Sequence, residues 1–319
     1  MKNLLFYTAT VMIWGSTWLG IKLQLGTVAP LASVAYRFSL AALILFGWCL
    51  ARRLNMRFSL AEHCYIALQG MLLFGFNYLF FYLAEQYITS GLAAVIFSLI
   101  LLMNIVNGAI LLGSRIDGIV LAGGLLGLVG IGLVFNPEIS AFTFDNAGVK
   151  GMLLCVLATL LASLGNIASA RNQHHNLPIV QTNAFGMAYG AVAVAMVALV
   201  SGTPFTFDPS PVYIGSLLYL ALFGSVIAFG CYLTLVGNIG ADRAAYATLL
   251  FPIVALTISA IWEDYRFTTS ALTGIGLIIV GNLAILKRRQ LAADALPRSH
   301  PLLPWRAWLH ALRLVLVRK

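Results

Sequence analysis

Long apolar runs separated by short polar breaks dominate the chain. The runs fall at about 4–22, 31–51, 64–86, 90–112, 117–135, 148–170, 179–201, 212–235, 241–262 and 269–287. Each approaches the roughly 17–25 residues that carry a helix across a bilayer. Backbone groups in hydrocarbon must bond within their own segment, so each run is predicted to be helical. Turn residues mark the breaks: Gly26 to Pro30, Asn136-Pro137, Pro178, and Pro204 to Pro211. The expected fold class is an all-α polytopic membrane protein with ten transmembrane helices. The first run follows Met1-Lys2-Asn3 as a signal peptide would. Its length and its place in the internal repeat below assign it instead to the mature fold.

A second pattern lies over the first. Shifted by about 150 residues, the halves superimpose. Tyr82-Leu83 falls on Tyr232-Leu233, Leu73-Phe74-Gly75 on Leu222-Phe223-Gly224, and Ala93-Ala94 on Ala244-Ala245. Arg115 falls on Arg266, Gly123 and Gly130 on Gly274 and Gly281, and Gly15 on Gly165. Five helices per half is an odd number, so the second half is expected to enter the membrane inverted. Inverted repeats place a substrate site near the midplane, where the halves meet. The expected units are a five-helix repeat at 1–136, a second at 148–289, and a basic tail at 290–319. In the tail, Trp305, Leu309, Leu312 and Leu316 share one helical face, which suits either an interfacial helix or a disordered end.

Composition agrees with the pattern. Of 319 residues, 61% are hydrophobic and 9% charged, too little charge to cover a soluble surface. The net charge is +9, but the basic residues sit in short loops and the tail. That arrangement fits anionic lipid and excludes a nucleic-acid partner. Lys2, Arg52, Arg53, Arg57, Arg115, Arg171, Arg243, Lys287, Arg288 and Arg289 fall on one side. Glu138, Asp145, Asp208, Glu263 and Asp264 fall on the other, with Lys150 and Arg266. The positive-inside rule then puts both termini in the cytoplasm of a bacterial-type inner membrane. Cys49, Cys64, Cys155 and Cys231 have no pairing or metal spacing. His174-His175 lacks a companion ligand set, so neither metal nor cofactor is expected.

Polar residues inside spans are the candidates for chemistry. In the third run, Phe74, Tyr78, Phe81, Tyr82 and Glu85 recur at helical spacing, with Asn77 beside them. Two readings fit: interhelical hydrogen bonding, or the lining of a cavity. Asn104 and Asn107 lie one turn apart in the fourth run, on a face with Phe97 and Ile100. Trp14 and Asn166 are deep in the first and sixth, and Tyr246 and Pro252 lie in the ninth. Pro252 removes a backbone donor in mid-span, as a packing kink or a ligand contact. Trp18 suits an interfacial anchor, and Lys22 suits a side chain that snorkels outward. Arg37 and Glu85 are both placed in the outer half, where a structural or gating ion pair is favoured over a clamp on a substrate carboxylate. Gly123 and Gly127 suit close packing within the chain; a monomer or weak homodimer is expected.

Three stretches resemble the EamA-type branch of the drug/metabolite transporter superfamily. They are "IWGSTW" (Ile13 to Trp18), "YRFSLAALIL" (Tyr36 to Leu45) and "GADRAAYATLLFPIVAL" (Gly240 to Leu256). The resemblance covers residues 1 to about 289. It implies a secondary transporter, with export as the direction. One departure is the turn after the fourth run, where Ser114 stands in place of the acid of a "GER"-like motif. Amides, phenols and few fixed charges point to small neutral or zwitterionic cargo, amino acids first and aromatic ones among them. Nucleotide sugars would call for more buried cations. No acid precedes Glu62, which counts against a permanent cation. An intramembrane enzyme is disfavoured, since no His-Glu-x-x-His, Gly-x-Ser-x-Gly or membrane aspartate pair occurs. No Walker loop occurs for direct use of ATP. A receptor or scaffold role would differ from transport in giving no flux.

Overall fold

The computed structural model describes residues 2–112, 118–134, 136, 146–232 and 247–295. The regular elements among these residues are all helical, without strands. In chain order the helices are α1 (Lys2–Lys22), α2 (Pro30–Ala51), α3 (Leu60–Gly70), α4 (Asn77–Ala84), α5 (Ser90–Phe97), α6 (Ile100–Leu112) and α7 (Gly118–Val134). The second half carries α8 (Ala147–His174), α9 (Ile179–Val200), α10 (Pro211–Tyr219), α11 (Ala247–Trp262) and α12 (Thr269–Ala295). Among the described residues, seven stretches are long and apolar enough to cross a membrane: Asn3–Lys22, Pro30–Ala51, Leu60–Ala84, Ser90–Leu111, Ala147–Gln173, Ile179–Val200 and Pro211–Tyr232. Ala122–Val134, Leu250–Trp262 and Thr269–Ala284 are shorter apolar helices. The protein is therefore a multi-pass membrane protein. Tyr246, Ser114, Arg115, Arg243 and the tail after Ala295 lie outside the described residues.

Two spans are not uniform α-helix. Met71–Phe76 joins α3 to α4 as a π-helical turn, and Leu220–Ile227 continues α10 the same way. Ser225 Oγ donates to the Leu220 carbonyl five residues back, at 3.0 Å. The span Ser90–Leu111 breaks at Ser98-Leu99, between α5 and α6. There the backbone bonds tighten to Ser98 N–Val95 O and Leu99 N–Ile96 O, and Ser98 Oγ also binds the Val95 carbonyl at 2.6 Å. A serine hydroxyl competing for a helical carbonyl bends a helix in this way.

Ends are capped by the residues that suit them. Ser59 and Glu62 form a reciprocal capping box at the start of α3. Asn146 caps α8 and Ser210 caps α10, where Pro211 occupies the first turn.

Glycine sets the closest approaches. A Cβ on Gly70 would collide with the Gly186 carbonyl, so α3 and α9 meet backbone to backbone. The same holds between α7 and α12, where Gly130 abuts Gly274 and Gly281 abuts Gly123 and Gly127. The Gly123–Gly127 pair thus packs within the chain. α2 lies along α9, and α1 along α11. The core between them divides into an aromatic cluster around Trp18, Phe81 and Phe251, and a second around Phe38, Phe74 and Tyr82.

Candidate functional site: a cavity between the halves

α1, α4, the turn into α6, α8 and the stretch ending at Tyr232 enclose a cavity of about 250 Å³. Its wall is aromatic and aliphatic: Trp14, Trp18, Tyr78, Phe81, Phe97, Phe229, Tyr232 and Phe251, with Ile21, Leu73, Ile100, Leu101 and Ala162. Polar groups enter through Thr17, Asn77, Asn104 and Asn166. Among the described residues, no Lys, Arg, Asp or Glu lines it. Both halves contribute, the first through Trp14 to Asn104 and the second through Ala162 to Phe251.

Local structure explains the orientation of each ring. Trp14 and Trp18 are one helical turn apart on α1. Trp14 meets Phe229 edge-on at 5.3 Å and Tyr232 at 5.1 Å. Trp18 meets Phe81 edge-on at 5.0 Å, and Phe81 meets Phe97 edge-on at 5.5 Å. These are favourable quadrupolar contacts that hold the wall rigid. Phe97 and Ile100, three residues apart on either side of the break at Ser98-Leu99, face the same space. On the opposite wall, Asn166 Nδ2 lies 3.5 Å from Asn104 Oδ1, at the limit of a hydrogen bond. Asn77 is 3% exposed, and its Oδ1 has no partner among the described residues.

Six of the sequence candidates therefore meet at the cavity: Trp14, Asn77, Tyr78, Phe81, Asn104 and Asn166. Others stand elsewhere. Tyr82 is turned away from the cavity, and its hydroxyl donates to Gln24 Oε1 at 2.5 Å. The step from Phe81 to Tyr82 rotates a side chain by about 100° around the helix, which carries the two rings into different cores. Asn107 Nδ2 donates to Ser163 Oγ at 2.8 Å, an interhelical bond outside the lining. Pro252 is buried beside Val95, Ser98, Leu256 and Ile278, in an apolar gap distinct from the cavity. Trp18 is not an interfacial anchor: it is 7% exposed and faces the bundle.

Arg37 and Glu85 form no hydrogen-bonded ion pair. The Arg37 guanidinium lies 4.4 Å from the centre of the Tyr78 ring and 5.1 Å from that of Phe38. Its Nε donates to Ser225 Oγ at 3.3 Å, in the second π-helical turn. Stacking and this bond hold the planar group on the Tyr78 side. Glu85 is fully buried and neither carboxylate oxygen has a hydrogen-bond partner among the described residues. Lys22, the last residue of α1, reaches across to the end of α4. Its Nζ donates to the carbonyls of Glu85 (2.5 Å) and Ile88 (3.3 Å), capping the end of α4.

Lining residues not among the sequence candidates include Ala162, Phe229, Tyr232 and Phe251 in the second half and Thr17, Ile21, Leu73 and Leu101 in the first. The 150-residue shift held a signal for Phe251, whose counterpart Leu101 also lines the cavity. It held a misleading one for Tyr232, whose counterpart Tyr82 does not.

A multi-pass helical bundle around an aromatic cavity that no charged residue lines among those described suits a small-molecule carrier. The profile of the EamA-like transporter family matches residues 1–136 and 149–287. The chain belongs to that family and is a membrane transporter. It is similar to a probable amino-acid metabolite efflux pump of Escherichia coli, at 25% identity over 286 residues, 85% of this chain and 90% of that protein. It is similar also to protein PagO of Salmonella typhimurium, at 21% identity over 91% of this chain and 94% of the relative. A protein crystal structure superimposes with a TM-score of 0.66 at 19% identity. The match covers 91% of this chain and 98% of that one, and it supports the fold.

Proposed function

We propose that the chain exports small neutral or zwitterionic metabolites, foremost amino acids with aromatic or bulky apolar side chains. It does so by alternating access around the cavity. The observation that carries this reading is the cavity wall itself: rings and amides from both halves, without a charge. Aromatic rings hold a flat apolar body, and the amides supply both donors and acceptors for a polar head. A cavity of about 250 Å³ suits a ligand of amino-acid size, since drug-sized sites begin near 300 Å³. Similarity to the probable amino-acid metabolite efflux pump of Escherichia coli supports the same class.

Ten helices in two inverted halves are part of this reading, with both termini in the cytoplasm of the inner membrane. The two π-helical turns support it. They begin at Met71 and Leu220, 149 residues apart, near the shift that superimposes the sequences. The pairing of α1 with α11 is matched by that of α8 with α6, as expected if the first and sixth spans, and the fourth and ninth, are counterparts.

Counterflow in proteoliposomes tests the cargo. Vesicles loaded with unlabelled L-phenylalanine are expected to accumulate labelled L-phenylalanine, and vesicles loaded with a sugar or a quaternary amine are not. Equal counterflow for all loads, or none with any amino acid, would overturn the amino-acid reading.

A further inference from the structure

Glu85 stands where α4 ends, one helical turn beyond Phe81, the last residue of its helix to line the cavity. It is 0% exposed, and both carboxylate oxygens are without a hydrogen bond among the described residues. Cations are close, yet none is hydrogen-bonded to the carboxylate, although Arg37 Nη1 is itself buried without a partner among the described residues. Lys22 of α1 binds the Glu85 and Ile88 main-chain carbonyls. Arg37 of α2 is stacked on Tyr78 and bonded to Ser225. Lys150 of α8 lies over the Tyr87 ring at 4.6 Å. The remaining titratable neighbours are Tyr82 on the same helix, Cys155 of α8, and Glu263 at the end of α11. Glu263 is bound to the backbone N–H and hydroxyl of Ser90, where it caps α5. Gln24 and Tyr82 close the layer with their mutual hydrogen bond, and both are buried.

A buried carboxylate without a hydrogen bond is among the costliest groups a protein can hold, and a bound proton removes that cost. A metal cation is a poor alternative occupant, because Lys22 and Arg37 already put positive charge around the site. We propose that Glu85 is a proton-binding site, filled when this end of the bundle is closed and emptied when it opens. In the closed form the acid is neutral. Separation of α1, α2 and α4 lets water, Lys22 or Arg37 reach the carboxylate, which then releases its proton. One proton is bound and released for each closing and opening. A transporter that cycles between these arrangements thus couples cargo movement to the proton gradient. That consequence rests on the transport reading above; the proton site does not.

The test is infrared spectroscopy of the full chain in lipid nanodiscs at neutral pH. The wild type is expected to show the carbonyl band of a protonated carboxylic acid. Glu85→Gln, which keeps the size and neutrality of the protonated group, removes that band. Glu263→Gln retains it. A wild-type spectrum without the band, or the same band in Glu85→Gln, would overturn the proposal. A second arm uses L-phenylalanine in proteoliposomes under an imposed pH gradient. Gradient-driven accumulation by the wild type should fall at least tenfold in Glu85→Gln, and an unchanged response contradicts the coupling. A wild type that moves no phenylalanine refutes the cargo reading alone, and the infrared result then decides the proton site by itself.

Discussion

Tyr78 and Tyr82 sit one turn apart on α4, yet they have different surroundings. Tyr78 carries a cavity face and an Arg37 stack, whereas Tyr82 is locked to Gln24. Tyr82→Phe leaves Gln24 Oε1 without its donor in a buried place. A loss of about 1–3 kcal/mol follows, visible as a lower melting temperature in detergent, while cargo affinity stays unchanged. A change in affinity without a change in stability would put Tyr82 in the site instead. Arg37→Lys keeps the charge and loses both the planar stack and the geometry of the Ser225 bond. It is expected to destabilise by about 0.5–2 kcal/mol, in the range of a desolvated cation–π contact; an unchanged melting temperature would show the stack to be idle. The sequence showed these polar side chains to lie within apolar helices. Their partners were not legible, because Gln24 lies at a span end and Ser225 in an unforeseen π-helical turn.

At the scale of elements, the spans themselves were legible in the hydropathy, because hydrocarbon demands about 20 apolar residues. Their irregularities were not. Leu73-Phe74-Gly75 and Leu222-Phe223-Gly224 read from sequence as ordinary helix, and the break after Phe97 has only a serine to announce it. Leu73, inside the first π-helical turn, lines the cavity and was missed from sequence, whereas Phe97 and Ile100 stay on the face assigned to Asn104 from sequence. π-helical turns in paired positions are also suited to absorb bending. Contacts between elements are set more sharply by glycine. Gly70→Ala forces a methyl group into the Gly186 carbonyl and should cost about 1–3 kcal/mol through overpacking. Gly47→Ala on α2 meets nothing within 4 Å and should be neutral or stabilising by up to about 1 kcal/mol. Thermal unfolding of the two variants in parallel checks the contrast; equal effects would contradict the close approach of α3 and α9.

For the whole molecule, the inverted-repeat reading makes a sidedness prediction. Thr206 and Asn176 are both exposed, at opposite ends of α9. Cysteines placed there, with Cys49, Cys64, Cys155 and Cys231 replaced, should react with an impermeant maleimide from opposite faces of intact cells. Thr206 labels from outside and Asn176 only after the cells are opened. Labelling of both from one face would contradict the orientation. The central claim is that cargo occupies the cavity, and cysteine protection at Asn104 tests it most directly. In a cysteine-free background, Asn104→Cys is reconstituted and alkylated with a small maleimide in the presence or absence of excess L-phenylalanine. Bound cargo is expected to slow the modification severalfold, and completed modification to abolish counterflow. Alkylation at the same rate with and without phenylalanine, followed by undiminished counterflow, would contradict the account.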